Sequence, residues 1–104
     1  MFVMLTSTYP PDKTVEIAKR YIKAQQENPL PPFIKTVGGF VKSSLEAGLK
    51  TIGIYELETG KEDEALQEIS RRMVQFFDIE GYRYTIEYVM SVEEAIPMLG
   101  VEMP

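Results

Sequence analysis

Three polar residues that could carry out chemistry alternate along one predicted strand: Arg83, Thr85 and Glu87. Because successive side chains of a β-strand point to opposite faces, residues two apart share a face. An arginine can bind a carboxylate or enolate, and a nearby glutamate can remove a proton. We therefore expect Glu87 and Arg83 to be catalytic, with Thr85 as a ligand-binding group between them. The alternative is an exposed ion pair that contributes only about 0–1 kcal/mol to stability.

A second group of candidate ligand-binding residues lies on two other predicted strands: Thr6, Thr8, Thr51, Gly53 and Tyr55. A glycine in a strand leaves room for a ligand, and a phenol can donate a hydrogen bond to it. The threonines could add further hydroxyl groups. The alternatives are that Tyr55 and Gly53 serve packing, and that the threonines are present because β-branched side chains suit strands.

The residue types that are missing exclude several kinds of site. The chain contains no cysteine and no histidine. This excludes disulfides, thiolate nucleophiles, Cys/His zinc sites, histidine-ligated haem and a Ser-His-Asp triad. The acidic run between residues 56 and 64 lacks the spacing of a calcium-binding EF-hand loop. We therefore expect no metal site and no cofactor.

Composition and charge limit the class of protein. The 104 residues correspond to a single domain, and the hydrophobic share of 44% is that of a globular chain. The net charge of −5 disfavours nucleic acid, which binds to basic surfaces. The apolar start of the chain is too short for a membrane span and lacks the basic region of a signal peptide. We therefore expect a cytoplasmic protein that binds neither nucleic acid nor membrane.

Hydrophobic periodicity predicts the order of helices and strands. Strands are predicted over 2–9, 33–43, 49–58 and 82–90, with a bulge at Gly38-Gly39. Helices are predicted between Asp12 and Asn28, after Thr59, and at about 91–99. The first helix is expected to bury Val15, Ala18, Tyr21 and Ile22, with Ile17 and Ala24 on the flanks of this stripe. The second is expected to bury Ala65, Leu66, Ile69, Met73 and Phe76 or Phe77. Capping boxes are predicted at Thr59–Glu62 and Ser91–Glu94.

This order, β-α-β-β-α-β, predicts an α+β, ferredoxin-like sandwich spanning residues 1–104. Four antiparallel strands are expected in the spatial order 4-1-3-2, with both long helices on one face and a short C-terminal helix. The helix-covered face is expected to carry Val3, Leu5, Ile52, Ile54, Tyr84, Ile86 and Tyr88. The opposite face is expected to carry all the candidate site residues, together with Phe2, Met4 and Leu57. Because that face mixes apolar and polar groups, we expect two copies to pack it together as a homodimer.

Several segments resemble a small bacterial and archaeal family of uncharacterised proteins. They are Thr-Ser-Thr-Tyr at 6–9, Pro-Pro-Phe-Ile at 31–34, Ile-Tyr-Glu at 54–56 with Gly-Lys-Glu at 60–62, and the stretch from Gly81-Tyr82 to Glu93-Glu94-Ala95. That family is placed with the dimeric α+β barrels. The resemblance implies a homodimer whose sheets face each other. The superfamily includes cofactor-free monooxygenases, muconolactone isomerase, haem-dependent chlorite dismutases and ligand-sensing domains. The chain departs from the haem branch because it has no histidine.

Two functions remain open at this stage. The first is a homodimeric barrel that binds a small organic ligand between facing sheets, as a cofactor-independent monooxygenase or isomerase. The second is a non-enzymatic small-molecule sensor or protein-interaction module. The sequence does not decide whether the protein is an enzyme.

Overall fold

The computed structural model describes residues 1–44 and 48–102. Within these ranges the chain forms β1 (Phe2–Tyr9), α1 (Thr14–Glu27), β2 (Ile34–Ser44), β3 (Gly48–Leu57), α2 (Glu62–Met73), β4 (Arg83–Val89) and α3 (Val92–Met98). Short 3-10 turns precede α1 at Pro11–Lys13 and follow α2 at Val74–Phe76. The order of elements and their approximate bounds are those predicted from the sequence.

The four strands form one antiparallel sheet in the order β2-β3-β1-β4. This is the predicted order 4-1-3-2 read from the opposite edge. Residues from α1 and α2 pack on the face that carries Val3, Leu5 and Tyr9. We call this the covered face, and the opposite face the open face. The fold is therefore the ferredoxin-like α+β arrangement expected from the sequence.

The orientation of β3 differs from the prediction. Val3 pairs with Tyr55, and Leu5 pairs with Gly53. Directly opposed residues of an antiparallel pair share a face, so the odd-numbered residues of β3 lie on the covered face. Leu57, which is only 2% exposed, is part of the core there. Ile52 and Ile54 were expected on the covered face, and they lie on the open face.

This error has a physical cause. Both faces of β3 carry apolar side chains, so alternation alone does not identify the buried one. Burying Leu49, Tyr55 and Leu57 removes more apolar surface from water than burying two isoleucines. For β1 and β4 the prediction is confirmed, because Leu5 pairs with Ile86 and Val3 pairs with Tyr88.

Two adjoining clusters form the core between the helices and the sheet. The buried residues of the first are Val3, Ile34, Leu57, Ala65 and Ile69. Those of the second are Tyr9, Ile17, Met73, Phe76 and Ile79. The predicted stripe of α2 is confirmed, with Phe76 rather than Phe77 as its buried aromatic residue. The Phe77 ring is exposed and stacks on Tyr84, with 6.2 Å between the ring centroids.

The stripe of helix α1 that faces the sheet is rotated from the predicted one toward its predicted flank, at Ile17 and Ala24. Ile17 is its one buried side chain, while Val15 and Ile22 are 67% and 55% exposed. Two apolar stripes compete on this helix, and the sequence pattern alone favoured the wrong one. The stripe that faces the sheet includes Ile17, Tyr21 and Ala24. Since most of its side chains are small or only partly buried, α1 leaves a space above the sheet.

The structure confirms some of the predicted caps and turns and contradicts others. The capping box at Ser91–Glu94 is confirmed, since the Ser91 hydroxyl accepts a hydrogen bond from the Glu94 amide. No side chain caps α2, and Glu62 instead accepts a hydrogen bond from the Gly60 amide, so the capping box predicted there is wrong. The pairing of β2 with β3 shifts between Thr36 and Gly38, beside the predicted bulge. Most of the hairpin loop predicted at 44–48 lies outside the described residues.

Candidate functional site

A cavity of about 450 Å³ lies between α1, α2 and the covered face of the sheet. We call it the α1 cavity. Its inner wall includes the buried side chains of Ile17, Met73 and Phe76, and its outer wall includes the exposed Tyr21 and Val41. The cavity therefore opens between α1 and β2. Its volume falls within the range that holds small organic ligands in proteins.

The hydroxyl groups at the inner end are already paired with one another. The Tyr82 hydroxyl donates to the Ser7 hydroxyl at 2.8 Å, and the hydroxyls of Tyr9 and Thr51 are also 2.8 Å apart. The Tyr82 ring stacks on Phe76, with 4.8 Å between the centroids. Because each pair already shares one hydrogen bond, the inner end offers a ligand mainly aromatic and aliphatic surface with few free polar groups.

Tyr55 lies over Gly53 on the floor of the cavity. A Cβ atom added at Gly53 would lie 2.9 Å from the Tyr55 hydroxyl oxygen, so glycine leaves the space that this ring occupies. Burial raises the pKa of Tyr55 above 10, the neighbouring Tyr21 adds to the rise, and Arg72 opposes it. Tyr55 is therefore a neutral hydrogen-bond donor at ordinary pH. Its hydroxyl forms no hydrogen bond with the described residues.

Arg72 is the one charged side chain among the described residues that line the α1 cavity. It extends from α2 and donates a hydrogen bond to the carbonyl oxygen of Asn28, the residue that ends α1. Its Nε atom is buried and has no hydrogen-bond partner in the described part of the chain. Neither is there an ion pair to Arg72 within residues 1–44 and 48–102. The guanidinium group therefore lies beside apolar surface without a compensating carboxylate.

The open face of the sheet has a regular arrangement that follows from the strand register. Reading across β2, β3, β1 and β4, the first row is Lys42, Lys50, Thr8 and Arg83. The second row is Phe40, Ile52, Thr6 and Thr85, and the third is Gly38, Ile54, Met4 and Glu87. The fourth is Lys35, Glu56, Phe2 and Val89. Cations are thus concentrated at one end of this face, and apolar groups fill its middle.

The sheet separates the predicted site residues into two groups. Thr6, Thr8, Arg83, Thr85 and Glu87 lie on the open face, as expected. Arg83 and Glu87 are two rows apart, and no ion pair between them occurs among the described residues. The closest polar contact between these residues is 3.4 Å, from the Thr85 hydroxyl to a Glu87 carboxylate oxygen.

The other three predicted residues, Thr51, Gly53 and Tyr55, line the α1 cavity on the covered face. The expectation that all eight residues share one face is therefore wrong, for the reason given for β3. Sequence analysis did not single out Arg72 or Tyr21 as site residues. The sequence contained one indication of the position of Arg72, because it directly precedes Met73, which was predicted to be buried.

In the part of the chain that the structure describes, no group of three or more Asp or Glu side chains could hold a metal ion. No helix in residues 1–44 and 48–102 is long and apolar enough to cross a membrane.

Comparison with known proteins does not assign the chain to a family. No protein-family model matches it, and no curated protein matches it. A crystal structure of a formyltetrahydrofolate deformylase from Pseudomonas putida KT2440 superposes with a TM-score of 0.42 and 12% sequence identity. The alignment covers 85% of this chain and 28% of the deformylase, so the chain spans little more than a quarter of that protein's length. We draw no argument about function from this level of similarity.

Proposed function

We propose that the protein binds a small organic molecule in the α1 cavity. The observation that supports this proposal is a space of about 450 Å³ inside a domain of only 104 residues. Well-packed interiors leave few voids larger than a water molecule. Because the α1 cavity opens to solvent, its apolar walls stay exposed to water unless a ligand covers them.

The groups around the cavity favour binding over catalysis. The described lining residues include no carboxylate, so they offer no acid–base pair of the usual kind. The raised pKa of Tyr55 makes its phenol a weaker candidate for a general base. We therefore favour a small-molecule sensor or carrier. A cofactor-independent monooxygenase or isomerase that uses Glu87 and Arg83 is the competing proposal, and it places the ligand on the open face.

Calorimetric titration with 4-phenylbutan-1-ol tests the binding proposal. A Gly39→Leu variant extends a side chain from the covered face of β2 into the cavity, where a Cβ meets no atom within 4 Å. We expect the natural protein to bind the alcohol and this variant to lose binding. A Ser43→Leu variant adds an apolar side chain on the same strand but outside the cavity lining, and it should still bind. Equal binding by all three proteins would contradict the proposal, as would a natural protein that binds neither this alcohol nor the matching carboxylate, 4-phenylbutyrate.

We also propose that two copies associate through the open face to form a dimeric α+β barrel. A twofold axis parallel to the sheet and perpendicular to the strands would place the first row of one copy against the fourth row of the other. Lys50 would then face Glu56, and Ile52 would face Ile54. The opposite charges of Lys50 and Glu56 and the apolar contact of Ile52 with Ile54 support self-association of this face, while the same arrangement places Lys42 against Lys35.

Sedimentation velocity of charge variants tests the dimer. We expect Lys50→Glu to weaken association, because it places two carboxylates against each other in the proposed pairing. Adding Glu56→Lys in the same chain restores opposite charges and should restore the dimer. A natural protein that sediments as a monomer at micromolar concentration would rule the arrangement out. A double variant no better than Lys50→Glu would argue against this pairing of rows.

A further inference from the structure

The chemistry of the α1 cavity narrows the class of molecule that it could hold. The half-buried guanidinium group of Arg72 lies beside apolar surface, where a charge is less well solvated than in water unless an anion pairs with it. Arg72 has one hydrogen bond, to the Asn28 carbonyl, which leaves its Nε–H without a partner among the described residues. None of the described lining residues supplies an anion to pair with this cation.

A second donor lies in the same cavity. The Tyr55 hydroxyl has no hydrogen-bond partner in the described part of the chain, and its pKa is affected by the nearby charge of Arg72. Arg72 and Tyr55 therefore present a cation and an unpaired hydroxyl donor to the same cavity. A carboxylate accepts hydrogen bonds from an arginine and a phenol together, and charge-assisted bonds of this kind are the stronger ones.

The rest of the lining indicates what the anionic group is attached to. Leu5, Ile17, Ile69, Met73 and Phe76 provide aliphatic and aromatic surface. The hydroxyls of Tyr9, Thr51, Tyr82 and Ser7 are already paired with one another. A highly polar ligand would find few free partners at this end, whereas an apolar chain or ring would be well accommodated.

From these observations we propose that the ligand is an apolar monocarboxylic acid whose carboxylate contacts the guanidinium group of Arg72 and the Tyr55 hydroxyl. Its aliphatic or aromatic body lies between α1 and the sheet, against Ile17 and Phe76. This inference rests on the proposed ligand-binding function and adds the charge and shape of the molecule. It assigns a ligand role to Arg72 in addition to its contact with the end of α1.

The test compares two probes that differ mainly in the group proposed to be recognised. The probes are 4-phenylbutyrate, which is ionised at pH 7, and the neutral 4-phenylbutan-1-ol. Titration calorimetry gives the ratio of their dissociation constants. For the natural protein we expect the carboxylate to bind about tenfold or more tightly than the alcohol.

Variants of two adjacent arginines separate a role in binding from a role in folding. Arg72→Gln should reduce the preference to about twofold or less, because it removes the charge. Arg71→Gln removes the same charge from the next residue of α2, whose side chain is 69% exposed and pairs with Glu68. This control should retain the full preference. Tyr55→Phe should lower affinity for the carboxylate while leaving affinity for the alcohol nearly unchanged.

Each outcome supports or contradicts the assignment. If the natural protein binds the alcohol as tightly as the carboxylate, the anionic ligand is wrong while the binding function stands. If neither probe binds, the binding function fails as well. A preference that survives Arg72→Gln overturns the role of Arg72. If Arg72→Gln does not fold by circular dichroism, Arg72→Lys decides, because it keeps the charge but lacks the planar guanidinium group that can bind a carboxylate through two N–H groups. An unchanged preference in that variant contradicts the proposal, and a loss of about threefold or more supports it.

Discussion

The ring of Tyr55 occupies the space that the missing side chain of Gly53 leaves on the covered face of β3. A Cβ atom at Gly53 would lie 2.9 Å from the Tyr55 hydroxyl oxygen and 3.0 Å from a ring carbon. The glycine therefore determines where the phenol lies on the floor of the α1 cavity. It links a sequence feature, a glycine inside a strand, to the position of a donor in the proposed binding site.

We predict that Gly53→Ala changes ligand binding more than it changes stability. The new methyl group displaces the far end of a flexible side chain, which can rotate away at little cost. The melting temperature should therefore change by only a few degrees, whereas affinity for 4-phenylbutyrate should fall several-fold. Ser43→Ala is the control, because Ser43 lies on the neighbouring strand outside the cavity lining. Equal effects of the two variants on affinity would contradict the proposed role of Tyr55.

The hydrogen bond from Tyr82 to Ser7 should contribute measurably to stability. Ser7 is a buried polar residue, and Tyr82→Phe would leave its hydroxyl without this donor. We expect the free energy of unfolding in urea to fall by about 1–2 kcal/mol. Tyr88→Phe, at a position 58% exposed, should change it by less than about 0.5 kcal/mol. If both variants match the natural protein, the buried hydrogen bond is not made in solution.

Stability should decline at high pH because of two tyrosines. Burial raises the pKa of both Tyr55 and Tyr82 above 10. The unfolded chain then releases these protons at lower pH than the folded chain, so their contribution is complete below pH 10 and is lost as pH rises further. Urea unfolding between pH 9 and 11 should show this loss. A Tyr55→Phe variant should lose less stability over the same interval, and an identical decline would contradict the burial of this phenol.

A surface ion pair should affect stability at low pH. Arg20 on α1 donates a hydrogen bond of 2.6 Å to Asp78, in the turn that precedes β4, and this contact lowers the pKa of Asp78 below 3.8. The contribution of Asp78 is therefore present above pH 3.8 and is lost as pH falls through the lower folded-state value. Asp78→Asn should flatten the acid limb of the melting profile, while Glu80→Gln should not. The pair is exposed, so the effect should shrink in high salt.

The sequence predicted the order of helices and strands because period-two and period-3.6 patterns, prolines and glycines punctuate it clearly. The predicted strand order followed from the β-α-β-β-α-β succession and is confirmed. The orientation of β3 could not be predicted, because Ile52 and Ile54 compete with Tyr55 and Leu57 for the core. The prediction for α1 was wrong for the same reason, because Val15 and Ile22 were expected to be buried and are exposed. Local apolar pattern cannot decide between two apolar faces, since the choice depends on which neighbours the whole fold brings near.

The candidate site was predicted less well than the fold for the same reason. The α1 cavity exists because α1 packs loosely on the sheet, and that is a property of tertiary packing. The residues around it come from α1, α2 and three strands. The candidate role of Arg72 could not be predicted from the sequence, because it depends on the absence of a carboxylate from the described residues around it. The predicted roles of Arg83, Thr85 and Glu87 remain predictions that belong to the open face.

The most direct test of the central proposal is an NMR titration of the 15N-labelled protein with 4-phenylbutyrate. The proposal predicts dose-dependent shifts at the amides of Ile17, Tyr21 and Thr51, which surround the α1 cavity. Amides of Thr6 and Thr85, in the middle of the open face, should change little. Shifts concentrated at Thr6 and Thr85 would place the ligand on the open face and contradict the proposed site. The absence of any shift up to millimolar ligand would contradict the binding function itself.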